Sequence, residues 1–126
     1  MSEFENVFER LRDIMRPFEQ NLVVKADLPG NYYLNTPYQR SDGYAYAFGG
    51  VQIKKNYVSY HLLPVYMNPH LLDTVSDKLK KQMQGKSCFN FKILDDELLL
   101  ELKDLTEKSF ETCKNTDFSV FDRGRK

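Results

Sequence analysis

Phe4, Val7, Phe8, Leu11, Ile14 and Met15 recur at steps of three and four, with charged residues between them. That period places the apolar set on one face of an α-helix over residues 3–16. Ser2 and Glu5 form a capping box, which satisfies amide donors left open by the first turn. Pro17 lacks an amide donor and restricts Arg16, so the helix ends or kinks there.

From residue 22 the period shortens to two. Leu22, Val24, Ala26 and Leu28 alternate with Val23, Lys25 and Asp27, which predicts a half-buried strand. Pro29-Gly30-Asn31 turns the chain into a second strand over 32–36, and Ser41-Asp42-Gly43 turns it into a third. There Tyr44, Tyr46 and Phe48 alternate with alanines. Gly49-Gly50 predicts a bulge or a close backbone approach, after which Val51 and Ile53 resume the alternation. Lys54-Lys55-Asn56 turns the chain again, and residues 57–63 return as a fourth strand.

Pro64 ends regular pairing. Asn68 and Pro69 predict the start of a short helix carrying Leu71, Leu72 and Val75. Ser76 begins another over 77–84, closed by Gly85. Phe89, Phe91 and Ile93 alternate with Cys88, Asn90 and Lys92 in a last strand. Asp95 or Asp96 caps a final helix whose broad apolar face holds Leu98, Leu99, Leu102, Leu105, Phe110 and Cys113. Hairpin-length connections imply an antiparallel sheet. Helices at both ends of the chain predict an α+β two-layer sandwich, with about five to six strands and the N- and C-terminal helices packed on one face. Residues 114–126 show no period and read as a polar tail.

A chain of 126 residues with 41% hydrophobic content is the size of one domain and can bury a core without a disulfide or metal staple. Its 18 basic and 18 acidic residues cancel, and a balanced charge disfavours nucleic acid as the main partner. No apolar run approaches the ~20 residues of a membrane span, so no membrane partner is expected. The N-terminus lacks a basic segment followed by an apolar run, so no signal peptide is read there. Cys88 and Cys113 have no CxxC or CxxH context, which predicts two free thiols in a reducing cytoplasm.

Candidate chemistry is sparse. Glu5, Glu9 and Asp13 lie four apart and share a helix face, where they form a candidate weak carboxylate site for a hard or borderline cation such as Fe(II). Arg10, Arg12 and Arg16 interleave with them and weaken the acidic field, so a solvated face of local ion pairs is the simpler reading of the stripe. Gly85-Lys86-Ser87 lacks the earlier glycine and the strand-to-helix order of a nucleotide-binding loop. Lys78, Lys80, Lys81 and Lys86 form a basic cluster suited to an anion or an acidic partner. Cys88 points away from Phe89 and Phe91, with Asn90, and a nearby lysine favours its thiolate. His61 lies among Tyr57, Tyr60 and Tyr66, and only His70 could join it as a ligand. All eight tyrosines fall between Tyr32 and Tyr66. Tyrosine suits strands, and it also suits recognition surfaces.

The run Phe48-Gly49-Gly50-Val51-x-Ile53-x-x-Asn56-Tyr57-Val58-Ser59-Tyr60-His61, followed by Leu79-Lys80-Lys81 and Gly85-Lys86-Ser87-Cys88-Phe89-Asn90-Phe91, resembles the YdhG-like family of small bacterial proteins. The resemblance covers roughly residues 4–113, implying one domain over 1–113 with 114–126 as its tail. It implies a frataxin-like fold, with two helices on one face of an antiparallel sheet. One branch of that family is described as an iron chaperone, which implies iron as the cofactor to test.

The first functional reading is a non-enzymatic module that binds a protein or small ligand on the helix-free sheet face. Its candidate residues are Tyr57, Ser59, Tyr60, His61, Lys86, Cys88 and Asn90. The second is a frataxin-like metal-handling protein using Glu5, Glu9 and Asp13. The third is an enzyme built on Cys88 or His61, for which no second catalytic group can be named from sequence. Without one, no catalytic residue is assigned.

Overall fold

A computed structural model describes residues 3–39 and 45–115. The Ser2 half of the capping box, the turn at 41–43, Tyr44 and the tail from 116 onward lie outside the described residues. The chain runs through α1 (Glu3–Met15), a 3-10 segment (Arg16–Asn21), β1 (Val23–Leu28), β2 (Asn31–Gln39), β3 (Ala45–Ile53) and β4 (Val58–Leu62). It continues through α2 (Leu63–Met67), a 3-10 turn (Pro69–Leu72), α3 (Asp77–Lys80), β5 (Met83–Gln84), β6 (Cys88–Phe91) and α4 (Asp96–Lys114). The six strands make one antiparallel sheet in the order β1-β2-β3-β4-β6-β5. The architecture is an α+β sandwich. Among the described residues no helix is long and apolar enough to cross a membrane.

The helix layer forms where the apolar periods predict it. Val7, Phe8, Leu11, Ile14 and Met15 are buried, and α1 rests on β3 and β4 beside α4. Pro17 tightens the chain into the 3-10 segment rather than stopping it. Phe18 from that segment packs on Phe110 of α4 at 4.9 Å and on Phe48 of β3 at 6.3 Å between ring centres. Arg10 leaves the acidic stripe. It donates to the Leu94 carbonyl at 3.0 Å and pairs with Asp96 at 2.8 Å, tying α1 to the start of α4. Asp95 is the N-cap of α4, accepting from the Leu98 amide at 2.8 Å.

The sheet's inner face carries Tyr32, Leu34, Val51, Val58, Tyr60, Leu62, Phe89 and Phe91, all fully buried. Tyr60 joins the layers through a polar chain. Its hydroxyl lies 2.6 Å from Thr106 Oγ1, which itself donates to the Leu102 carbonyl at 2.6 Å. Since the threonine proton is committed to that carbonyl, Tyr60 is the donor in the first bond. Burial pushes the phenol far above its ordinary range, so it stays protonated.

Four expectations change. The strand at 22–28 is an edge strand with a register shift between Val24 and Ala26, and Val23, Val24 and Leu28 are exposed rather than half-buried. The helix expected over 77–84 ends at Lys80. Met83 and Gln84 instead form β5, and Gly85 at φ +82° makes the tight turn into β6. Ile93 is 70% exposed, because β6 ends at Phe91, opposite Val58, and alternation has no meaning past the last pair. Leu94 turns inward in its place. Asn68 makes no side-chain cap and donates to the Pro64 carbonyl instead.

Candidate functional site

On the sheet face opposite the helices, register aligns two rows across the strands. One runs Asn31, Gln52, Ser59 and Asn90. The other runs Tyr33, Gly50, His61, Cys88 and Gln84. No described helix packs on this face, and Asn31, Tyr33, Gln52, Ser59, His61, Cys88 and Asn90 on it are half-buried.

Gly50 is the hinge of the second row. A Cβ there would overlap the Tyr33 ring and the Tyr32 carbonyl. Its absence lets the tyrosine lie across β3 and reach β4. Tyr33 and His61 stack with ring centres 6.2 Å apart and planes 21° from parallel. Gly49 is forced as well, since a Cβ there would strike the His61 carbonyl. Of the two alternatives for this glycine pair, the close backbone approach is present. The irregularity lies beside it, where Leu34 pairs with Gly49 and Asn35 with Ala47.

His61 Nδ1 lies 3.2 Å from Cys88 Sγ and 3.2 Å from Ser87 Oγ. Burial lowers the imidazole's pKa from its ordinary value of 6.5, so the ring is neutral near pH 7. A neutral imidazole has one acceptor nitrogen. With the acceptor at Nδ1, both the thiol and the hydroxyl can donate to it. Among the described residues no carboxylate contacts the ring, so the arrangement is a pair with a flanking serine rather than a triad.

Ser59, His61, Cys88 and Asn90 are therefore brought together. Tyr57 and Lys86 lie at opposite ends of the sheet. Tyr57 closes the β3–β4 turn, its carbonyl accepting from the Lys54 amide at 2.8 Å. Lys86 sits in the β5–β6 turn with Nζ 5.9 Å from the centre of the exposed Tyr66 ring. Tyr60 does not belong to the site. It faces the helices, at 0% exposure, because alternation sets it opposite Ser59 and His61. Sequence reasoning missed Tyr33, Gln52, Asn31 and Ser87. The parity of Tyr33 against buried Tyr32 and Leu34 was the available signal.

Glu5, Glu9 and Asp13 are exposed on α1. Glu5 and Glu9 border a cleft of about 310 Å³ together with Arg12, Asp27, Pro29 and Ile53. Asp13 pairs with Arg12 at 3.7 Å. Among the described residues no three His, Cys, Asp or Glu side chains converge as a metal-holding group. The lysine cluster is divided: Lys78 pairs with Asp95 and Glu97 across α3 and α4, while Lys86 lies at the far turn. Cys113 is a buried thiol on α4, pushed up to about 11 by desolvation, and both cysteines are free.

No family model, curated protein or solved structure matches this chain.

Proposed function

We propose that the protein is a binding module whose helix-free sheet face takes a small, uncharged ligand bearing a planar ring. The observation that carries this reading is the pair of cross-strand rows. Tyr33 and His61 offer stacked π faces, and Asn31, Gln52, Ser59 and Asn90 offer both donors and acceptors beside them. With His61 neutral, the two rows hold no cationic side chain and no carboxylate, which favours a neutral partner over an anion. Gln52 already donates to Asn31 at 3.0 Å, so that part of the first row is held in place before a ligand arrives. Two unpaired cysteines favour a reducing cytoplasm as the place of work.

The test is a screen of neutral and anionic ring-bearing fragments, read through backbone amide shifts. Hits are expected to cluster at Tyr33, Gln52, His61 and Asn90, to favour neutral rings, and to disappear in Tyr33→Ala. Hits confined to the helix layer, or retained by that variant, would remove the proposal.

A further inference from the structure

We propose that Cys88 is a base-assisted thiol that exchanges with low-molecular-weight disulfides, with His61 Nδ1 receiving its proton. The pair spans two strands, and its geometry is set by the β4–β6 register rather than by a flexible loop. Sγ lies 3.2 Å from Nδ1, within hydrogen-bond reach for sulfur. Burial keeps the imidazole neutral, and Nδ1 as its acceptor nitrogen faces the sulfur and can take the thiol proton during attack. Cys88 is half-buried on the face no described helix covers, so a small reagent can approach the sulfur.

The surroundings select the reaction class. Acyl transfer by a thiol calls for preorganised donors at a developing oxyanion. Cys88 sits inside a strand paired on both sides, to His61 on β4 and Gln84 on β5, which commits this stretch of backbone to the sheet ladder. Disulfide exchange makes no such demand, because the charge leaves on a thiolate that is stable by itself. As Cys88 sulfur attacks one sulfur of the disulfide R–S–S–R, His61 takes the thiol proton. The Cys88–S–S–R bond forms, the R–S–S–R bond breaks, and the departing RS⁻ recovers the proton as RSH. Cys88 is oxidised to the mixed disulfide, and half of the reagent is reduced. Cys113, the chain's other cysteine, is buried on α4 and cannot resolve the adduct, so the mixed disulfide persists until external thiol removes it.

The experiment incubates the full chain with hydroxyethyl disulfide at pH 7 and follows adducts by intact mass and peptide mapping, with N-acetylcysteine as the free-thiol reference. One adduct is expected, on Cys88, formed about tenfold faster than on the reference, reversed by excess thiol and slowed about tenfold in His61→Gln. Cys113 stays unmodified in both proteins and reports that the variant is folded. A Cys88 rate at or below the reference overturns the proposal without recourse to any variant. So does a His61→Gln protein that reacts as fast as the wild type while Cys113 remains protected.

Discussion

Tyr60 and Thr106 make a sharp test of the core, because removing both partners costs less than removing the threonine hydroxyl alone. Tyr60 is fully buried, and its hydroxyl has Thr106 Oγ1 as acceptor at 2.6 Å. Thr106→Val keeps the shape but strands that hydroxyl in the core, which costs about 1–3 kcal/mol. Tyr60→Phe removes the donor, while Thr106 keeps its own bond to the Leu102 carbonyl, so the loss is about 0.5–1.5 kcal/mol. In the double variant neither polar group remains unpaired, and replacing both partners by apolar groups of like shape is close to neutral. The double variant should therefore be more stable than Thr106→Val alone, a reversal that additive contributions cannot produce. Urea unfolding followed by far-UV circular dichroism, with m-values compared across the four proteins, measures this. If the double variant loses the sum of the two single losses, the Tyr60 hydroxyl is not the donor into a dry core.

Leu102→Ala empties a fully buried site on α4 and should cost roughly 2–5 kcal/mol in chemical denaturation; a loss below about 0.5 kcal/mol would mean that α4 is misplaced. Gly50→Ala should displace Tyr33 from His61, seen as loss of ring-current shifts on the imidazole protons by NMR; unchanged shifts would disprove the close approach. His61 has a folded-state pKa below the ordinary 6.5, so the unfolded chain binds the proton more tightly. Stability should thus be complete above pH 6.5 and fall as pH drops through the window beneath it, and His61→Gln should flatten that slope in unfolding curves. Anaerobic calorimetry with Fe(II) should find binding no tighter than tens of micromolar, because Arg12 competes for Asp13; sub-micromolar binding lost in Glu9→Ala/Asp13→Ala would reverse this.

The elements legible in the sequence are those long enough to show a period. α1 and α4 present repeated apolar steps over several turns, and the pattern selects all their buried residues but Thr106 and Ser109, while its Phe4, Leu99 and Phe110 are half-buried. Short elements escape this logic. Two residues of β5 carry no period, so the helical reading of 77–84 ran over them to Gly85, and glycine serves equally as a helix stop or a hairpin turn. Alternation also cannot tell an edge strand from a central one. β1 has the apolar and polar beat of a half-buried strand, yet among the described residues only β2 flanks it, and its valines stay exposed. The frame of the α+β sandwich survives these local errors because it rests on the two long helices and the central hairpins.

The site was half legible, for a reason rooted in how strands carry information. Parity along β4 and β6 puts His61 and Cys88 on the outer face, and sequence alone reaches that far. Their meeting depends on register, which couples residues 27 positions apart. Pairing Val58 with Phe91 and Tyr60 with Phe89 brings Cys88 opposite His61. A slip of two residues would keep every side chain on its present face, yet set Cys88 against Ser59 and His61 against Lys86. The same slip would press Ser87 rather than Phe89 against Tyr60 in the core. The imidazole–thiol contact on the open face is therefore held by the aromatic packing beneath it. A change that loosens Tyr60 or Phe89 should disturb Cys88 chemistry without touching either partner.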